Sequence, residues 1–153
     1  MTALVRPGTA ADRDFVADLA HRTAADSVAA FRRTPDARIH ESLDRLLDVL
    51  EEQSHVTLVA EIDGRPVGFL LMLDALPDEV TSMPQGFVAY MAVEPAARRR
   101  GAGRALLEAA EGEARRRSLP YMALMVTQEN AAARALYESC GYFTERRLLC
   151  KAL

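Results

Sequence analysis

The segment from Tyr90 to Leu107 constrains the fold of this chain most strongly, because it orders a strand, a basic glycine loop and a helix in immediate succession. An apolar run ends at Val93-Glu94-Pro95, Gly101 and Gly103 follow, and apolar residues then recur at helical spacing. The glycines are surrounded by four arginines with no acid between them: Arg98, Arg99, Arg100 and Arg104. The first N–H groups of a helix lack partners, and the helix dipole favours negative charge there. The segment therefore predicts an anion site, and we infer a pyrophosphate as its ligand.

A second segment, from Asn130 to Tyr142, makes the first more specific. Together the two resemble the GCN5-related N-acetyltransferase (GNAT) superfamily. Its acetyl-CoA loop has the form Gln/Arg-x-x-Gly-x-Gly/Ala, and its later segment has the form Asn…Ala-Leu-Tyr-Glu-x-x-Gly-Phe/Tyr. The residues that match these forms are Arg98, Gly101, Gly103, Asn130 and the run from Ala135 to Tyr142. The opening from Val5 to Asp12 also looks like the first strand and helix entry of that family, so the resemblance spans nearly the whole chain.

Size, charge and cysteine usage narrow the class of protein. A chain of 153 residues fits one domain, residues 1–153, with a real core. The formal net charge of −3 gives no general attraction to nucleic acid. No apolar stretch reaches membrane-spanning length and no signal peptide is recognisable, so we expect a cytoplasmic protein away from membranes. Cys140 and Cys150 form no disulfide framework, and the scattered histidines predict no metal site.

Hydrophobic periodicity predicts an α/β sandwich: a mixed, mostly antiparallel central sheet flanked by about four helices, in the order β-α-α-β-β-β-α-β-α-β. The strands are predicted at residues 3–6, 56–62, 66–73, 87–93 and 121–126. Asp63-Gly64 predicts a two-residue hairpin. Residues 74–86 are predicted to form a loop over one end of the sheet, and residues 142–153 to return as a strand or a pair of strands. A GNAT fold has this same order.

The resemblance implies a role for each matched segment. Main-chain groups of Met91, Ala92 and Val93 would bind the pantetheine arm of acetyl-CoA, and one of their N–H groups would polarise the thioester carbonyl. Asn130 would hydrogen-bond the donor near its pantetheine section. Tyr137, two helical turns beyond Asn130, would protonate the coenzyme A thiolate. The residues that would hold the pyrophosphate are Arg98, Arg99, Arg100, Gly101, Ala102, Gly103 and Arg104.

The general base stays open. Ribosomal-protein N-terminal acetyltransferases of this superfamily use a glutamate five residues before the asparagine, where Met125 stands here. Histone-type enzymes use one at the start of the fourth strand, where Phe87 or a close neighbour stands. Both departures disfavour a peptide α-amine or a histone lysine as acceptor. The remaining candidates are a water chain and the acids Asp74, Asp78, Glu79, Glu94 and Glu129.

The sequence thus predicts an acetyl-CoA-dependent N-acetyltransferase that acts on a primary amine, preferably of a small molecule. One alternative is a protein or peptide acetyltransferase acting on an N-terminus or a lysine; another, of a different class, is a non-catalytic acyl-CoA sensor. We expect the first two helices and residues 74–86 to form the acceptor pocket. The acids Asp74, Asp78 and Glu79 favour a cationic amine there, with a merely solvated acidic loop as the alternative. Family members often dimerise, so a homodimer is a further expectation.

Overall fold

The computed structural model of the chain describes residues 2–153 and contains one five-stranded sheet with the strand order β1-β2-β3-β4-β5. The strands are β1 (Leu4–Pro7), β2 (His55–Ile62), β3 (Arg65–Leu73), β4 (Gly86–Val93) and β5 (Met122–Leu124). The first three junctions are antiparallel, and β4 pairs with β5 in parallel. The predicted mixed, mostly antiparallel sheet is therefore confirmed.

In the described part of the chain, four α-helices cover the two faces of the sheet. They are α1 (Arg13–Thr23), α2 (Asp36–Glu52), α3 (Ala102–Arg116) and α4 (Ala131–Ser139). Along β3, Phe69 and Leu71 face α1 and α2, whereas Leu70 and Met72 face α3. All four side chains are buried, because β3 is covered on both sides, and full burial of each contributes about 1.5–3 kcal/mol. The continuous apolar run of β3 in the sequence reflects this double cover.

The predicted turn and loop between the middle strands are confirmed. Asp63 and Gly64 connect β2 to β3 with φ angles of 53° and 72°, as a two-residue hairpin turn requires. Residues 74–85 connect β3 to β4 without a helix or strand. Helix α2 begins directly after Pro35, at Asp36.

The C-terminal part of the sheet differs from the prediction. The strand predicted at residues 121–126 is shorter, Met122–Leu124, and lies at the edge of the sheet. Residues 143–153, predicted to form one or two strands, contain no strand. A strand exists only when a neighbour accepts its ladder of hydrogen bonds, and these residues make no backbone hydrogen bond to residues 2–142. The strand prediction for residues 142–153 is therefore wrong, whereas the strand predicted at residues 121–126 is present but shorter.

Candidate active site

The strands β4 and β5 separate partway along β4 and leave an opening between them. They pair only at Gly86–Met122, Phe87–Ala123 and Val88–Leu124. The chain beyond β5 turns away, and Thr127 Oγ1 donates a 2.8 Å hydrogen bond to the carbonyl oxygen of Ser27. Among residues 2–153, no strand pairs on this edge with residues 89–93 of β4, which include Met91, Ala92 and Val93. Such an edge can hydrogen-bond an extended ligand arm as it would a strand.

The loop after β4 presents a run of free backbone donors. Within the described chain, the N–H groups of residues 99–104 donate to no protein acceptor, and the first hydrogen bond of α3 runs from Ala105 N to Gly101 O at 3.0 Å. Arg99 and Gly101 adopt positive φ angles of 62° and 84°. Alternation of left-handed and ordinary backbone turns successive N–H groups toward a common point, where the dipole of α3 adds positive potential. The arrangement fits a pyrophosphate.

The two glycines of this loop have different structural roles. A Cβ on Gly101 would meet open space, so its positive φ is what favours glycine there. A Cβ on Gly103 would lie 2.9 Å from Leu136 Cδ2. Gly103 therefore allows α4 to approach the start of α3, a contact that the sequence argument, which assigned both glycines to phosphate, did not predict. Arg104 Nη2 strengthens this approach by donating to Ser139 Oγ at 2.8 Å.

The other three arginines of the loop differ in whether their side chains are held by hydrogen bonds within the chain. Arg98 donates from Nη2 to Asp26 at 3.1 Å and from Nε to the carbonyl oxygen of Val93 at 3.3 Å. Arg99 and Arg100 are exposed, and within residues 2–153 neither is in an ion pair. Arg99 and Arg100 are consequently the side chains most available to an anionic ligand at this loop.

The segment between α1 and α2 links the two sides of the opening. This connecting segment, residues 24–33, reaches the β4–α3 loop through the Asp26 carboxylate on Arg98. It reaches the β5–α4 loop through Thr127 and through Ala30 N, which donates to Glu129 Oε1 at 3.1 Å. Sequence analysis did not identify Asp26, since an acid between two helices carries no signal of its own.

Helix α4 places Asn130 and Tyr137 two turns apart on one stripe. Asn130 is the N-cap, and its Oδ1 accepts a 3.1 Å hydrogen bond from Ala133 N. Its Nδ2 donates to the carbonyl oxygen of Asp26 at 3.5 Å. Tyr137 is half-buried and lies edge-on to Tyr142, with 6.1 Å between ring centroids. Burial raises the pKa of the Tyr137 phenol, so the hydroxyl stays protonated at neutral pH.

Two of the candidate general bases are held by partners close to the opening. Glu94, at the end of β4, accepts two hydrogen bonds from Arg22, at 2.8 and 2.6 Å, and this guanidinium lowers the pKa of Glu94. Glu129 accepts from Ala30 N through both carboxylate oxygens. A carboxylate with a lowered pKa is a weaker base, which disfavours Glu94 for proton abstraction.

The acids of the 74–85 loop are neutralised within the chain. Arg117 at the end of α3 contacts Asp74 Oδ2 at 2.5 Å. Arg146 contacts Asp78 Oδ2 at 2.6 Å and Glu79 Oε1 at 3.4 Å. These ion pairs favour the structural alternative over recognition of a cationic amine.

No cluster of three or more metal-ligating side chains occurs among residues 2–153. In the same part of the chain, no helix combines the length and the apolar character that crossing a membrane requires.

Two sequence relatives match parts of the chain. Mycothiol acetyltransferase of Beutenbergia cavernae is 42% identical over 67 residues, which are 44% of this chain and 21% of that protein. An uncharacterized N-acetyltransferase of Bacillus subtilis is 34% identical over 94 residues, or 61% of this chain and 62% of that protein. The matched region thus spans less than two thirds of either relative.

Solved structures match over almost the entire chain. A provisionally named acetyl transferase from Pyrococcus furiosus has a TM-score of 0.84 at 22% identity and covers 99% of both chains. The ribosomal-protein-alanine N-acetyltransferase from Brucella melitensis has a TM-score of 0.73 at 23% identity over 100% of both chains. The aminoglycoside N-acetyltransferase AAC(6')-Iy, in complex with a bisubstrate analog, has a TM-score of 0.72 at 17% identity over 100% of this chain and 99% of its own. At this identity the likeness concerns the fold. Residues 20–142 match the Acetyltransferase (GNAT) family, and the chain belongs to that family.

Proposed function

We propose that this protein is an acetyl-CoA-dependent N-acetyltransferase that transfers the acetyl group to the primary amine of a small molecule by direct attack in a ternary complex. The proposal rests on two adjoining stretches of backbone, within residues 2–153, that have hydrogen-bonding groups without a protein partner. The free N–H groups of residues 99–104 adjoin the free edge of β4 at residues 89–93. The first suits a pyrophosphate and the second suits an extended arm, and acetyl-CoA contains both in that order.

The donor would be held mainly by main-chain groups. Ala92 is buried, so it can offer a ligand only its backbone, while Met91 and Val93 are half-buried beside it. Asn130, ordered by its capping hydrogen bond, would contact the arm from the other side of the opening. Around the pyrophosphate we place Arg98, Arg99, Arg100, Gly101, Ala102, Gly103 and Arg104. Acetyl-CoA supplies the chemistry as an activated thioester.

Tyr137 is the proposed general acid. Its Oη carries a proton at neutral pH because burial raises the pKa of the phenol. Within residues 2–153, no acceptor engages that hydroxyl, so its proton is available to a departing thiolate. Tyr142 shares the same apolar cluster, but its hydroxyl donates to Glu111 Oε1 at 3.3 Å and is committed there.

A water is the proposed route for the amine proton. Glu94 and Glu129 are engaged by Arg22 and by a backbone N–H, and the loop acids are paired with arginines. An amine of modest pKa is already largely neutral at physiological pH, so a water that passes its proton to solvent is sufficient. Met125 and Phe87 stand where peptide and histone acetyltransferases have glutamates, which supports a small-molecule acceptor over the peptide or protein alternative.

A thiol-release assay over polyamines, amino acids, aminoglycosides and N-terminal peptides tests the function. We expect coenzyme A release that requires both acetyl-CoA and an amine, and that is fastest with a small amine. Calorimetric binding of acetyl-CoA without turnover across the panel would instead establish the sensor alternative. Fastest release with peptides would establish the protein acetyltransferase. The absence of acetyl-CoA binding by a folded protein would contradict the proposed function and both alternatives.

A further inference from the structure

Arg134 on α4 carries a positive charge that no residue of the described chain neutralises. Its side chain is half-buried. Among residues 2–153, its buried Nε has no hydrogen-bond partner, and no carboxylate forms an ion pair with it. A charge that has lost its water without gaining a partner is costly, and folded proteins normally pair such a group. Arg134 is therefore suited to an anion that is not part of the chain.

The carboxylates on α4 and around the opening do not act as its counter-ion. Glu138 lies one turn further along α4, a spacing at which Arg and Glu can pair, yet its side chain is exposed and forms no ion pair within residues 2–153. The acids around the opening all have other partners: Asp26 binds Arg98, Glu94 binds Arg22, and Glu129 accepts from Ala30 N. A ligand would then supply the negative charge.

Arg134 lies on the flank of α4 that carries Asn130 and Tyr137. At 3.6 residues per turn, it is rotated by about 40° from Asn130 and by about 60° from Tyr137 around the helix axis. Helical side chains lean toward the N-terminus, so the side chain of Arg134 covers the turn that begins at Asn130. Asn130 in turn contacts the connecting segment through the carbonyl oxygen of Asp26. Arg134 is thus on the side of the proposed general acid and of the segment that follows α1.

The opposite flank of α4 faces the loop proposed to bind phosphate. Leu136 packs against Gly103 there, and Ser139 accepts a hydrogen bond from Arg104. These two residues of α4 are rotated by about 160° and 140° from Arg134. The phosphates of the donor, placed at residues 99–104, would lie on the far side of the helix, which disfavours them as the anion. The acceptor is the other substrate, and it can carry the negative charge.

We propose that Arg134 binds a carboxylate of the acceptor, so that the substrate is a primary amine that also carries a carboxylate, as amino acids do. This inference rests on the proposed acetyltransferase function and specifies its acceptor. A guanidinium presents parallel donors that match both oxygens of a carboxylate. The pairing also cancels a negative charge that would otherwise stabilise the ammonium form of the amine, which suits a site whose acids are already engaged.

Matched amines test the proposal on the wild type. Each pair contains an amino acid and the amine that lacks its carboxylate: lysine and cadaverine, ornithine and putrescine, tyrosine and tyramine. We expect thiol release from acetyl-CoA with a kcat/KM at least about tenfold higher for the amino acid, since a hydrogen bond between charged groups contributes about that factor. Turnover without this preference would keep the proposed function and overturn the inference. No turnover with any amine would overturn the proposed function and the inference with it.

Substitution of Arg134 tests whether this residue causes the preference. In Arg134→Gln, kcat/KM should fall at least about tenfold for the amino acids and stay near the wild-type value for the amines without a carboxylate, while calorimetry should show unchanged acetyl-CoA affinity. Arg134→Lys keeps the charge and loses the paired donors, so its preference should be smaller than that of the wild type even if the glutamine variant does not fold. Arg115→Gln on α3, whose side chain is 75% exposed, is the matched control and should behave as the wild type. An unchanged preference in either folded variant, or an equal loss with both members of each pair, would overturn the inference.

Discussion

Two features of Tyr137 bear on its proposed role as proton donor to the thiolate. Its ring is fixed by the edge contact with Tyr142, and its phenol has a pKa above its usual value of about 10 because it is buried. The protonated form is therefore present throughout the neutral and mildly alkaline range. Activity should not decline over that range through loss of this proton.

Replacement of Tyr137 by Phe isolates the proton from the packing. The ring contacts persist, so the fold and the KM for acetyl-CoA should be unchanged. A positioned acid contributes about 10²–10⁴-fold, so kcat should fall at least about tenfold even if water substitutes in part. Tyr142→Phe is the matched control, because it removes a hydroxyl from the same cluster and should leave kcat near the wild-type value. Equal kcat for the wild type and Tyr137→Phe, measured where chemistry limits the rate, would assign Tyr137 to packing alone.

Among single residues, those identified by their position in a motif were easier to predict than those defined by their partners. The backbone around Gly101 has the left-handed conformation that a glycine loop implies. The second role of Gly103, its contact with Leu136, depends on a helix far along the chain and has no local signal. The neutralisation of Asp78 by Arg146 is equally non-local.

The loop between β4 and α3 is the element in which sequence and structure agree most fully. Its run of unpaired N–H groups follows from the helix start, which is a local property. Residues 143–153 are the opposite case. Their apolar side chains are compatible with a strand, yet a strand needs a neighbour that shares its ladder of hydrogen bonds, and no strand among residues 2–142 pairs with them. Periodicity reports which residues are apolar and not whether a neighbour is available.

Substitution at Gly101 tests the anion site of this loop. Gly101→Glu and Gly101→Gln impose the same bulk and the same strain at a φ of 84°, and differ only in charge. The glutamate places a negative charge where phosphate oxygens are expected, so coenzyme A should bind at least about tenfold more weakly to Gly101→Glu than to Gly101→Gln. Titration calorimetry measures both. Equal affinities of two folded variants would contradict phosphate binding at residues 99–104.

Across the whole molecule, an ion-pair network joins the edge of the sheet to the first helix. Arg6 in β1 donates to both oxygens of Asp12 at 2.8 Å and to Glu61 of β2 at 2.7 Å. The backbone N–H of Thr9 donates to Asp12 Oδ2 at 2.8 Å, as in a capping box at the start of a helix. Asp12 is only 6% exposed. Its hydrogen bonds therefore fix the start of α1 relative to the sheet and, through α1, the position of the connecting segment beside the opening.

Acid titration of stability tests this network. Arg6 and Thr9 hold the pKa of Asp12 well below its usual range, so its contribution is complete above the ordinary aspartate pKa and is lost as pH falls through the folded-state value. Asp12→Asn should lower the free energy of unfolding by about 2 kcal/mol at neutral pH, because charge-assisted hydrogen bonds to a buried group are lost. The difference from the wild type should shrink as the pH falls below about 4, because the Asp12 carboxyl is then protonated in the unfolded chain while it stays ionised in the folded protein. Asp14→Asn, at an exposed position in the first turn of α1, is the control and should change stability by less than about 0.5 kcal/mol. Urea unfolding of the three proteins from neutral to acid pH measures these free energies. If the difference in free energy of unfolding between Asp12→Asn and the wild type were constant with pH, the carboxylate charge would not be what holds α1 to the sheet.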